Sequence, residues 1–270
     1  MPRSPSTLLS VTIAVCTVLV AGCQATSRSL SGAPAIDEQT DPLERLTAGN
    51  ERFAKDASVH PHLSAAQRHE TAVSGQHPFA AILACSDSRV PIEDLFDVGV
   101  GDVFVVRVAG NVCADDEAGS IEYAVEHLKT PLVIVLGHEQ CGAVTAAVRK
   151  AEEHGSIATL LARLAPAADK ARGNYPPRSG AALIHEAVRI NTWCSMEALI
   201  SHSAIVRERM KSGTARVVGG VYDIDTGRVS WMGEHPDQEQ VVARAESHDA
   251  HPAPPSAPAV TTDGGVHGDK

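Results

Sequence analysis

Residues 79–89 read FAAILACSDSR and residues 132–141 read LVIVLGHEQC. Each stretch opens with a short apolar run lacking polar alternation, as in strands buried on both faces, and passes directly into a cluster of Cys, His, Asp or Arg. Residues 103–108, VFVVRV, form a third run of the same kind. Between and after them lie helical patterns over 115–127, 142–150, 157–171 and 181–201, the first opened by Asp115, Asp116 and Glu117 at its positive end. Strand, helix, strand, helix in this order predicts an α/β fold: a mostly parallel sheet flanked by helices and joined by right-handed crossovers. Residues 215–224 and 228–232, separated by Asp225-Thr226-Gly227, predict a C-terminal hairpin at a sheet edge. No internal repeat is visible.

The chain has 270 residues, 43% hydrophobic and 21% charged, enough apolar material for one well-buried domain. Its formal charge of -10 and 3% aromatic content argue against nucleic acid or anionic lipid as a partner, since those need clustered Lys and Arg or stacking platforms. A small-molecule substrate is expected instead. Arg3 followed by the uncharged apolar run 8–22 predicts an export signal too short for a confident membrane span. The run ends Val20-Ala21-Gly22-Cys23, which resembles a bacterial lipobox. Residues 1–22 are therefore expected to be a lipoprotein-type signal peptide, with Cys23 as the lipidated residue and residues 23–40 as a flexible tether. That places the protein outside the cytoplasm, periplasmic or at the cell surface, anchored to a bacterial membrane. The catalytic domain is expected over 41–234, with its first helix starting at Asp41-Pro42. Residues 235–270, rich in His, Asp, Pro, Ala and Gly, are expected to be a disordered tail.

Loops leaving the carboxyl ends of parallel strands converge on the crevice where ligands bind, so both polar clusters are expected at one place. Zn2+ favours thiolate and imidazole, and a catalytic zinc has three protein ligands plus one exchangeable position. Cys85, His138 and Cys141 supply that set, with His138 and Cys141 close enough for one turn to aim both. Asp87 and Arg89, two apart, face the same way, so Arg89 can grip the Asp87 carboxylate and keep it off the metal. Water in the fourth position could then lose a proton and attack a carbon electrophile. Two thiolates cancel the charge of Zn2+, so that water should be less acidic than the ~7 of an all-His site, and activity should rise on the alkaline side. An Asp87 that swings onto the metal would close the site. Gly137 and Gly142, beside the second cluster, read as turn glycines. Cys113 and Cys194 are left either free or paired with each other.

These motifs closely resemble those of the β-class carbonic anhydrases. The likeness extends through LTAGNERF (46–53), QHPFAAILACSDSRV (76–90), GDVFVVRVAGN (101–111), SIEYAVEHL (120–128), LGHEQCGA (136–143) and GGVYDIDTG (219–227), so it runs over residues 43–232. What the resemblance implies is reversible conversion of CO2 and water to bicarbonate and a proton. It also implies one Zn2+ per subunit on Cys85, His138 and Cys141, with Asp87 and Arg89 as a gating dyad. A homodimer or tetramer is implied as well, with the helix over 43–53 packed on a partner. One departure can be read: a bicarbonate-regulated subclass carries Trp three residues before the first zinc Cys, where this chain has Ile82. Arg107 resembles that subclass's bicarbonate Arg, but without the Trp it reads as a packing or interface ion-pair residue.

Two further readings keep the zinc site and change its use. One is hydrolysis of carbonyl sulfide or carbon disulfide on the same scaffold; the other is a non-catalytic zinc-binding protein in which Asp87 fills the fourth position. Arg89 argues against the latter. A thiol oxidoreductase lacks its Cys-x-x-Cys pair.

Overall fold

The computed structural model describes residues 40–174 and 177–250. The expected signal peptide, Cys23 and residues 23–39 of the expected tether lie outside the described residues, as do residues 251–270. Five strands, β1 Ala80–Ala84, β2 Val103–Arg107, β3 Leu132–His138, β4 Arg216–Tyr222 and β5 Val229–Gly233, form a sheet in the order β2-β1-β3-β4-β5. The first four are parallel, and β5 closes one edge antiparallel to β4 as the expected hairpin. From β1 the chain crosses first to β2 on one side and then to β3 on the other. The carboxyl ends of β1 and β3 therefore flank the point where the winding reverses, where such sheets bind ligands.

Helices cover both faces: α1 Pro42–Phe53, α2 Ala65–Ser74, α3 Ile92–Leu95, α4 Asp115–Glu126, α5 Gly142–Val148, α6 Gly155–Gly173, α7 Gly180–His202, α8 Ala204–Lys211 and α9 Gln238–Ala250. No helix among the described residues is long and apolar enough to cross a membrane. The pleat divides the apolar strand residues between two cores. Ile82, Ile134 and Leu136 pack with Leu46, Ile92, Leu95 and Phe96 on one face. Leu83, Val133 and Val135 pack with Ile121, Met196, Leu199 and Val206 on the other. Each large aliphatic side chain so buried contributes roughly 1.5–3 kcal/mol. A third cluster, with Val144, Leu161, Leu164 and Val188, gathers around Cys85 and Cys141 at the strand ends.

Several expectations need correction. β2 is not buried on both faces: it is an edge strand, half-buried along its length and ending in the exposed Arg107. α1, whose packing on a partner is a separate expectation, buries Leu46 and Asn50 in its own chain. Asn50 donates to the carbonyls of Leu95 at 3.3 Å and Gly227 at 2.8 Å and accepts from the Val229 amide at 2.8 Å. Gly137 lies inside β3 rather than in a turn; a Cβ there would meet Thr192 Oγ1 at 2.4 Å, so glycine is what lets α7 sit against the strand end. Cys113 and Cys194, whose pairing the sequence left open, are free thiols.

The segment following Glu234 is not a uniform disordered tail. Residues 238–250 form α9, which lies on α7 and buries Val241 and Ala245, four residues apart and therefore on one helix face. Arg207 pairs with Asp249 and Lys211 with Glu246 along its length. His235, read as a tail residue, is buried: its Nε2 lies 3.1 Å from Glu197, its Nδ1 accepts the Asp237 amide at 3.1 Å, and its ring stands edge-on to Trp193.

Candidate metal centre

β1 ends in Ala84, so Cys85 leaves the sheet at its carboxyl edge; β3 ends in His138, whose ring emerges one strand away. A tight turn with Gln140 in the left-handed region (φ 55°) then places Cys141 at the N-cap of α5. The ligand atoms of Cys85, His138 and Cys141 all lie within 4.8 Å of one another, and all three residues are buried. The two clusters are thus brought together as expected.

The imidazole is oriented by the main chain. His138 Nδ1 lies 2.9 Å from the carbonyl oxygen of its neighbour Glu139, and a carbonyl can only accept, so Nδ1 carries the proton. Nε2 is left bare, buried and without a hydrogen-bond partner. A buried polar nitrogen in that state costs stability unless something binds it. Facing two sulfurs, it has the donor chemistry of a tetrahedral zinc site, so the residues fit the ion. The closeness of the two sulfurs depresses the Cys85 pKa and raises that of Cys141, which burial raises further. A cation bound between the sulfurs would displace their protons. Backbone amides also reach Cys85 Sγ: Gly110 N–H at 3.2 Å and Asp87 N–H at 3.4 Å.

Asp87 is turned away from the three ligands. Arg89 holds it through two parallel bonds, Nε to Oδ1 at 2.9 Å and Nη2 to Oδ2 at 2.7 Å, and the Arg89 amide adds a third to Oδ1 at 3.0 Å. This fork-to-fork pairing holds the Asp87 carboxyl well below the usual carboxylate range, against the opposing effect of burial. The nearest approach of the carboxylate to the bare imidazole nitrogen is 3.9 Å. Arg89 Nη2 also reaches the Gln140 carbonyl at 3.4 Å, so one guanidinium spans both clusters.

Two further side chains at the site take roles that the sequence did not assign to them. Arg107 donates to the carbonyls of Cys85 at 3.0 Å and Asp87 at 2.7 Å, so it braces the loop that bears them. His185 of α7 pairs with Glu139 at 2.5 Å at a cleft of about 660 Å³ that Gln140, Thr145, Arg149 and Arg189 also line.

Residues 80–229 match the family model described as carbonic anhydrase. Over 196 residues the chain is 39% identical to carbonic anhydrase 2 of Mycobacterium tuberculosis, covering 70% of this chain and 92% of that one. The chain belongs to the carbonic anhydrase family. Its fold places it in the β class. The β-carbonic anhydrase CafA of Aspergillus fumigatus superposes with a TM-score of 0.61 at 28% identity, over 77% of this chain and 98% of that one. Two tetrameric β-carbonic anhydrases of Sordaria macrospora are represented by a chain with a TM-score of 0.56 at 25% identity, over 71% and 96%. This carbonic anhydrase accordingly catalyses the reversible hydration of CO2 and uses zinc, for which the Cys-His-Cys group is the fitting site.

Proposed function

We propose that Cys85, His138 and Cys141 hold one zinc ion per subunit and that Asp87 and Arg89 govern access to its fourth position. The observation that carries this reading is the pairing of Asp87 with Arg89 beside a bare imidazole nitrogen. Zinc bound there supplies a Lewis acid that lowers the pKa of water. The chain's own part is positional. Arg89 keeps Asp87 ionised and off the ligand set, and the ionised carboxylate can only accept hydrogen bonds, so it orients a water whose lone pair is directed at CO2. Without Arg89, Asp87 is the nearest free carboxylate and closes the site.

The test is stopped-flow CO2 hydration from neutral to alkaline pH, with zinc content measured on each protein. Zinc-dependent turnover that rises with pH, lost with zinc in Cys85→Ala, supports the ligand assignment. Arg89→Ala should keep its zinc and lose turnover by a hundredfold or so, a typical effect of losing a positioning group. A fully active Arg89→Ala protein would remove the gating role.

The same reading includes export and a lipid on Cys23, supported by Arg3, the apolar run 8–22 and the Val20-Ala21-Gly22-Cys23 sequence. Mass spectrometry of the mature N-terminal peptide tests it; an unmodified Cys23 behind an uncleaved signal ends it. It also includes a homodimer or tetramer, supported by the half-exposed edge strand β2, by the exposed Tyr123 beside it, and by the tetrameric relatives. Light scattering on the purified protein reads the assembly directly.

A further inference from the structure

The Cys85 sulfur receives an N–H from Gly110, and Gly110 is itself held from the far side by a helix that contributes no ligand. Gly110 sits in the short turn Ala109–Asn111 with φ +72°, a conformation open to glycine. A Cβ there would also press on Leu164 at 3.0 Å and Ala143 at 3.3 Å, so a side chain would be tight as well as strained. The turn is fastened to the sheet through Asn111 N–H to Val108 O at 3.0 Å and Val108 N–H to Ala84 O at 3.1 Å. Its other anchor is Asn191 of α7, 2% exposed, whose Nδ2 donates to Gly110 O at 2.8 Å. The same nitrogen lies 3.5 Å from Asn111 Oδ1.

A glycine has the widest backbone freedom of any residue, so its amide direction must be imposed from outside. Here one side-chain amide fixes the carbonyl, and the N–H of the same residue points at sulfur. We propose that Asn191 is a positioning residue of the metal centre: by holding Gly110 it aims an N–H at the Cys85 sulfur and so sets how much charge that sulfur donates to the metal. An N–H···S bond draws electron density from a thiolate, and hydrogen bonds to ligating sulfur tune a metal's electronics at many sites. With Asn191 truncated, Gly110 relaxes, the N–H leaves the sulfur, and the thiolate becomes the stronger donor but a less well placed one.

The inference rests on Cys85 being a metal ligand, and the measurement separates the two. Cobalt(II) is loaded in place of zinc, and the thiolate-to-cobalt charge-transfer band is recorded for the parent protein, Asn191→Ala and Thr192→Ala. Thr192 is the control for damage to α7: it is equally buried, and its hydroxyl donates to Val188 O within the helix at 3.1 Å. The expected result is a band moved to lower energy in Asn191→Ala, with zinc affinity against a competing chelator weakened about tenfold, and neither change in Thr192→Ala. If Asn191→Ala does not fold, Asn191→Ser takes its place, since the shorter hydroxyl cannot span to Gly110 O. A folded variant whose band stays in place overturns the proposal, and so does an equal shift in Thr192→Ala. A parent protein without any thiolate band overturns the ligand assignment instead.

Discussion

Arg107, at the end of the edge strand, donates through Nη2 to the carbonyl oxygen of Asp87 at 2.7 Å, and through Nε to that of Cys85 at 3.0 Å. One side chain from β2 thus braces the loop that carries the first ligand and the gating carboxylate. Charged donors strengthen such bonds, while the exposure of Arg107 weakens them, which leaves about 1–2 kcal/mol for the pair. Arg107→Ala is expected to lower stability by that amount in a urea titration and to release zinc to a chelator faster than the parent. Arg107→Lys, with one donor group in place of a fork, should fall between the two.

Asn50 ties three separate segments together, donating to Leu95 O and Gly227 O and accepting Val229 N–H. Asn50→Ala leaves those backbone groups without a partner in a largely buried site. The expected cost is about 2–4 kcal/mol, read from the urea midpoint followed by Trp231 fluorescence, since Trp231 stacks on Phe96 in the same core. Asn50→Asp should recover little, because a carboxylate cannot donate to the two carbonyls.

Asp97 is buried, and burial by itself would raise its pKa. Arg52 at 2.5 Å and the amides of Val59 and His60 outweigh that and hold it below the usual carboxylate range. A folded pKa below the unfolded value of about 3.9 gives stability that is present above that value and lost as pH falls through the folded pKa. Asp97→Asn, which tolerates the left-handed backbone here (φ 48°), should therefore be less stable than the parent at pH 7. The difference should begin to shrink below about pH 4 and vanish only once the pH has passed the lower folded pKa. Denaturant titrations at a series of pH values from 7 downward follow that loss.

Burial first, then Glu117 and Asp115, push the Cys113 thiol up to about 12. A thiol in that state is protonated and unreactive at pH 8. Iodoacetamide on the folded protein should leave Cys113 unlabelled, label the half-buried Cys194 slowly, and find no disulfide between them, as read by peptide mass spectrometry. Labelling of Cys113 as fast as in urea would contradict the packing around it.

What could be read in the sequence follows from how local the signal is. The runs at 79–84 and 132–136 announce buried parallel strands because burial on two faces removes polar alternation, and the ligands follow from residue types that zinc selects. The exposure of β2 was hidden because Val103 to Val106 look the same at an edge as in the middle of a sheet; only the strand order distinguishes them. α9 was hidden because its interior contact is two residues, Val241 and Ala245, set among polar ones, and α7 supplies the rest of its stability. Asn191 left no trace at all. It reaches the site through the backbone of Gly110, eighty-one positions away in the chain, and no residue type marks such a contact.

The proton on His138 Nδ1 is fixed by a main-chain carbonyl, that of Glu139, rather than by a side chain. Many imidazole ligands depend on a carboxylate that a single base change can delete. Here the orienting acceptor is present whatever residue occupies position 139, because every amino acid carries the same carbonyl. Ligand orientation is thereby uncoupled from the side chain at position 139, whose carboxylate is left to pair with His185 at the neighbouring cleft.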